Sequence, residues 1–186
     1  MKREQKDKKI VCLGDSITYG FPWGPSVSWV TMLDRALEDA EVINRGINGN
    51  TTGDMLRRFD RSVLAHNPTH VIIMGGINDV VVGESFDRIT CNIRNMVERA
   101  LQEKIKVILG LPTAVDEPVW EKLLERLRVW MKDYAAEKNL AVIEFNKAFY
   151  DEKGRVRTDL LLADGGHPNT EGYKAMFAQI DLRIFE

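Results

Sequence analysis

Ile10-Val11-Cys12-Leu13-Gly14-Asp15-Ser16-Ile17-Thr18-Tyr19-Gly20 is an apolar run that breaks at a glycine into a short polar turn. Ile10 to Leu13 offer no polar side chain to water, so the run reads as a strand buried on both faces. Comparable runs recur at residues 41–44, 70–74, 106–109 and 141–145. Between them lie stretches of helical period: Val27, Val30, Leu33 and Leu37; then Phe86, Ile89, Ile93, Met96 and Ala100; then Trp120, Leu123, Leu127, Trp130 and Tyr134. Doubly buried strands alternating with amphipathic helices predict an α/β fold, a parallel sheet covered on both sides as a three-layer α/β/α sandwich.

The rest of the chain bounds what this sheet can do. Its 186 residues fit one domain, 1–186, with the charged residues 1–9 as a flexible leader. A net charge of -2 supplies no basic field for nucleic acid or an anionic membrane surface. No apolar stretch approaches the roughly 20 residues of a membrane-spanning helix, and the N-terminus has no signal-like apolar segment. Cys12 and Cys91 lack metal-ligand spacing. A cytoplasmic protein with reduced thiols is the expectation.

In open parallel sheets ligands gather beyond the carboxyl ends of the strands, so residues just after strands are the ones to inspect. Ser16 follows the first strand. In that position it is either a nucleophile at a strand-to-helix turn or part of a cap, and Asp15 reads as the residue that holds the turn. Gly49, in Asn44-Arg45-Gly46-Ile47-Asn48-Gly49-Asn50-Thr51-Thr52, follows the second strand. Its N–H can face a ligand, or the segment is a plain turn before a helix capped by Thr51 or Thr52. Asn78, in Gly75-Gly76-Ile77-Asn78-Asp79, follows the third strand and can donate its amide to a developing oxyanion or fold into its own turn, with Asp79 fixing the loop. Near the C-terminus, Asp164-Gly165-Gly166-His167-Pro168 places a carboxylate three residues before an imidazole, with Asn169 as an N-cap. A carboxylate that orients a histidine, and a histidine that deprotonates a serine, are the parts of nucleophilic acyl transfer. His66 and His70 fall at the opposite end of the sheet and read as structural.

Taken in order, these blocks resemble those of the GDSL or SGNH hydrolase family, from Ile10 to the C-terminal helix. The resemblance implies a single SGNH hydrolase domain of flavodoxin-like fold with a five-stranded parallel sheet. It also implies hydrolysis of a small-molecule ester through an acyl-enzyme, without metal or cofactor. By position, Ser16 corresponds to the nucleophile, His167 to the base and Asp164 to its partner; the Ser16 and Gly49 N–H groups and the Asn78 amide correspond to the oxyanion hole. Phe21 and Trp23 are candidates for an acyl- or sugar-binding wall, or equally for packing under the next helix. Residues 80–83, 112–115 and 146–162 are candidates for the pocket rim. Because the chain has no obvious lid insertion, the expected substrate is a short-chain, acetyl-type ester of a small soluble alcohol or sugar. The alternatives are a lysophospholipase or acyl-thioesterase acting on longer chains, and a non-catalytic carbohydrate-binding domain on the same fold.

Overall fold

A computed structural model describes residues 7–186. Five parallel strands, β1 (Lys8–Gly14), β2 (Ala40–Gly46), β3 (His70–Met74), β4 (Lys106–Gly110) and β5 (Ala141–Ile143), lie in the order β2-β1-β3-β4-β5. The helices are α1 (Ser16–Tyr19), α2 (Trp29–Ala36), α3 (Thr52–Arg57), α4 (Phe59–Ser62), α5 (Ile77–Val81), α6 (Phe86–Gln102), α7 (Pro118–Lys138) and α8 (Thr170–Phe177), with short 3₁₀ turns among them. This is the flavodoxin-like order, in which the direction of winding reverses at β1. The three-layer sandwich read from the sequence is the fold.

The period of two along each strand sorts its side chains between two cores. Val11 and Leu13 of β1, with Val71 and Ile73 of β3, face a layer containing Phe59, Ile93, Met96 and Leu127. Ile10 and Cys12, with Ile72 and Met74, face Trp29, Leu33, Tyr173 and Met176 on the other side. Every residue of β3 is buried, which explains why this central strand carries so few polar side chains. Helix ends are closed by local chemistry. Ser28 caps α2, Thr51 and Asp54 form a reciprocal capping box on α3, and Asn169 caps α8 by accepting from the Gly172 N–H.

Several strand boundaries differ from expectation: β2 runs from Ala40 to Gly46 instead of 41–44, β1 and β4 each extend one residue further to a glycine, and two ends shift for a clear reason. Lys8 and Lys9, placed in the leader by their charge, are the first residues of β1 and pair with Ala40 and Glu41. Their ladder uses backbone groups and leaves the ammonium groups at the surface, so charge did not prevent the strand. Residues 1–6 of the expected leader lie outside the described residues. The last strand stops at Ile143 instead of 145, because the chain turns at Glu144 into a 3₁₀ segment, Phe145–Phe149, that buries Phe145 and Phe149. Cys12 is buried in β1 and Cys91 is exposed on α6, both as free thiols. Among the described residues no helix is long and apolar enough to cross a membrane.

The end of β2 presses directly on the turn that carries Ser16. A Cβ at Gly46 would sit 2.1 Å from the Tyr19 nitrogen and 2.7 Å from the Asp15 carbonyl oxygen, and both are backbone atoms. Asn44 reinforces the contact by donating to the Thr18 carbonyl at 2.8 Å while accepting from the Gly46 N–H at 2.9 Å. Gly46→Ala is therefore expected to lower stability by roughly 1–3 kcal/mol, the usual range for overpacking. A urea midpoint equal to that of the wild type would show that α1 is free to yield.

Candidate active site

The residues that follow the strands converge at the carboxyl edge of the sheet. Asp15 caps α1 by accepting from the Ile17 N–H at 2.9 Å, and this sets Ser16 as the first helical residue, 6% exposed. The Ser16 hydroxyl lies 2.9 Å from Nε2 of His167. On the far side of the ring, Nδ1 lies 2.6 Å from Oδ2 of Asp164. The other carboxylate oxygen, Oδ1, accepts the N–H groups of Gly166 and His167 at 2.9 and 3.0 Å. Since an ionised Asp164 can only accept, Nδ1 carries the proton and Nε2 is left to accept from the serine. Partial burial pushes the Asp164 carboxyl up. The backbone bonds from His167 and Gly166, then the imidazole, outweigh it and hold the group below its ordinary range.

Asn78 stands at the second turn position of α5 and lines the same cavity as Ser16 and His167. Its amide donates one N–H to the Asn50 carbonyl at 2.9 Å, leaving the second for another acceptor. Gly49, next to Asn50, is exposed with φ +77°, and no side chain or backbone lies within 4 Å of where its Cβ would be. Direct hydrogen bonds thus join Ser16, His167 and Asp164. Asn78 is tied to the Gly49 loop through Asn50, and Gly49 is absent from the cavity lining.

The residues expected to hold the loops do so. Asp79 is fully buried and receives the N–H and hydroxyl of Thr52 at 2.9 and 2.6 Å, linking α5 to α3. His66 accepts from Arg45, and His70 is buried at the start of β3, both remote from Ser16 in the structure's hydrogen bonding.

Beside Ser16 opens a cavity of about 210 Å³. Its apolar wall is made by Ile77, Val81, Val115 and Trp120. Its polar lining includes Asp15, Asp116, Glu117 and Asp164 and, among the described residues, no lysine or arginine. Phe21 and Trp23 do not line it. The Phe21 ring instead lies 4.4 Å from the His167 ring, centroid to centroid, and Trp23 packs edge-on against Tyr173. Of the expected rim segments, Val81 and Val115 reach the cavity and residues 146–162 do not. Trp120 went unrecognised because it belongs to the apolar stripe of α7. The loop that carries Asp116 and Glu117 follows β4, so its place after a strand was the available signal.

Ser16, His167 and Asp164 thus form a hydrogen-bonded series on the carboxyl edge of a flavodoxin-like parallel sheet. The chain belongs to the GDSL-like lipase/acylhydrolase family, whose model matches residues 12–175. It is similar to a lipolytic protein of the G-D-S-L family from Desulfitobacterium hafniense DCB-2, with a TM-score of 0.85 and 33% identity, covering 96% of this chain and 99% of that one. It is 27% identical to an acetylxylan esterase of Geobacillus stearothermophilus over 195 residues, covering 89% of each chain. An arylesterase of Vibrio mimicus is 33% identical over 109 residues, a match that spans 56% of this chain and about half, 54%, of the relative.

Asp15 gives the site a measurable pH signature. Burial, opposed in part by the Ile17 N–H and the nearby His167, pushes its carboxyl from the ordinary 3.8 to about 6. A raised carboxyl favours folding in its protonated form. That contribution is complete below pH 3.8 and is lost as pH rises through about 6. Asp15→Asn keeps an acceptor for the Ile17 N–H and cannot ionise. Relative to this variant, the wild type is expected to lose on the order of 3 kcal/mol of stability between pH 4 and pH 7. Urea midpoints that move in parallel for both proteins across that range would contradict the shift.

Proposed function

We propose that the protein is a serine ester hydrolase that cleaves short acyl esters, acetyl above all, of a small soluble alcohol or sugar. The observation that carries the proposal is the unbroken Ser16–His167–Asp164 relay, with bonds of 2.9 and 2.6 Å, opening on a small cavity. In this reading His167 takes the Ser16 proton as the oxygen attacks the ester carbonyl, and Asp164 stabilises the imidazolium. The N–H groups of Ser16 and Gly49 and the side-chain amide of Asn78 receive the oxyanion. His167 then gives its proton to the leaving alkoxide. Water enters, is deprotonated by His167 in turn, and releases the acid from Ser16.

The substrate assignment rests on size and charge. Sites for drug-sized ligands usually span about 300–1,000 Å³. A cavity of about 210 Å³ is below that range and suits a short acyl group better than a long chain. The carboxylates in its lining repel phosphate-bearing substrates such as lysophospholipids or nucleotide thioesters, and they can accept hydroxyl hydrogen bonds. Trp120 offers a flat apolar face of the kind that stacks on sugar rings. The similarity to an acetylxylan esterase points in the same direction.

With p-nitrophenyl esters of increasing length, kcat/KM is expected to be highest for acetate and to fall by the octanoate. A maximum at eight carbons or beyond would favour the lysophospholipase or thioesterase alternative. A fluorophosphonate should label the wild type and fail to label Ser16→Ala, whereas equal labelling would move the nucleophile elsewhere. Asn78→Ala should lose about 10²–10³ in kcat, the effect of deleting one oxyanion donor. An undiminished kcat would take Asn78 out of that role.

A further inference from the structure

Arg58 joins α3 to α4 and is only 3% exposed, yet its hydrogen bonds go to neutral oxygens. Nε donates to the side-chain oxygen of Asn50 at 2.7 Å, and Nη2 donates to the Gly14 carbonyl at 2.8 Å. Nη1 is buried and has no partner among the described residues. Burial, reinforced by Arg61 and Arg45, pulls the guanidinium down to about 10, so the charge persists at neutral pH. A buried cation that no carboxylate contacts directly among the described residues, and that Asp54 and Asp15 attract only from a distance, is unfavourable for stability, and such exceptions to ordinary patterning concentrate at functional sites.

What the guanidinium grips is informative. Gly14 ends β1, two residues before Ser16, and its carbonyl also accepts the Ile47 N–H at 3.1 Å. Asn50 follows Gly49, and its own carbonyl is the acceptor that holds the Asn78 amide at 2.9 Å. One side chain therefore spans the loops after β1 and β2 and, through the Asn50 backbone, reaches the loop after β3. The planar fork of an arginine can make both bonds at a fixed separation, which an ammonium cannot reproduce.

We propose that Arg58 is a positioning residue for the oxyanion cradle: by clamping the Gly14 carbonyl to the Asn50 side chain, it fixes the carbonyl that orients Asn78 toward the Ser16 loop. The inference rests on the esterase reading above. Arg58 acts on the transition state through the placement of Asn78 and Gly49 and makes no contact of its own with substrate. Its loss should consequently appear in kcat far more than in KM.

The test compares wild type, Arg58→Lys and Asn50→Ala, the last of which cuts the same link from its more exposed end. Each is assayed on p-nitrophenyl acetate and titrated with phenylboronic acid, which forms an anionic tetrahedral adduct on a reactive serine. For both variants kcat should fall on the order of 10–10²-fold, as for a small displacement of a catalytic donor, with KM within about 3-fold of wild type. Boronate affinity should weaken by a similar factor. A purely structural role would lower the thermal midpoint and leave the boronate affinity and kcat of the folded fraction intact, which would overturn the inference. If Arg58→Lys does not fold, Asn50→Ala decides alone, and wild-type kcat and boronate affinity in that variant overturn the inference. Turnover that is the same in wild type and Ser16→Ala would defeat the esterase reading itself. Serine-dependent turnover that Asn50→Ala leaves unchanged would defeat only the role of Arg58.

Discussion

The carbonyl of Gly14 is where this structure is tied together. It ends the strand at which the winding of the sheet reverses, and it receives both the Ile47 N–H and the Arg58 guanidinium. Open parallel sheets leave a crevice at such a reversal, because the connections on either side depart to opposite faces. Here the loops after β1 and β2 are joined by hydrogen bonds converging on one oxygen, and the Asn50 carbonyl ties them to Asn78 after β3. No Cβ fits at this position: it would lie 2.1 Å from the Thr18 hydroxyl and 2.9 Å from the Met74 carbonyl oxygen. Glycine is required by close approach from both α1 and β3, not by an unusual φ.

From that knot the polar residues around the crevice divide into two kinds. Asp15, Asp79, Thr52 and Arg58 are buried, and their hydrogen bonds run to backbone, to one another or to the side chains of Asn50 and Asn92, with Nη1 of Arg58 left over among the described residues. Ser16 and Asn78 keep capacity in reserve beside the cavity. A buried polar group raises the energetic stakes of any movement, since breaking its bonds without water to replace them costs about 1–3 kcal/mol each. The loops that carry Ser16 and Asn78 are thus stiffened by buried side chains, of which only Asp15 also borders the cavity. That is the preorganisation which electrostatic stabilisation of a developing charge needs.

Much of this was legible in the chain, and the reasons differ by feature. The sheet could be read because residues 10–13 and 71–74 are apolar without interruption, a pattern that only a strand buried on two faces explains economically. The hydrogen-bonded series of Ser16, His167 and Asp164 could be read because Asp164 and His167 are close in sequence and Ser16 follows a strand. Strand ends were less legible. Lys8 and Lys9 pair through backbone atoms that hydropathy does not register, and Phe145 enters the core from a 3₁₀ turn that looks like a continuing strand. The cavity wall was hidden for another reason: Trp120 satisfies the period of α7 whether it faces the core or the site. Arg58 was the least legible, because beside Arg57 it looks like one of two solvated charges. Only the tertiary structure shows that Arg57 is exposed and pairs with Asp54, while its neighbour is buried.

The relay and the cradle are held by different means, and this has a mechanistic consequence. Asp164, Gly166 and His167 form a local turn in which one carboxylate oxygen takes two N–H groups and the other takes the ring. The turn is anchored by the Leu162 N–H to the His167 carbonyl at 2.8 Å, and by the Gly165 carbonyl, which accepts from Asp116 at 2.7 Å. Asp164 remains 44% exposed at its side chain, so this arm is built largely from its own segment and borders water. The cradle, in contrast, depends on long-range bonds among three separate strand ends. Hydrogen bonds within a few residues re-form quickly after a fluctuation, whereas long-range ones require the loops to return together. The position of His167 therefore rests mainly on residues 162–168, with ties from Asp116 and Phe21, whereas the position of Asn78 rests on the whole carboxyl edge. A perturbation far from Ser16 that loosens the sheet edge should displace Asn78 before it displaces His167, because the Asn78 contact draws its geometry from the knot at Gly14.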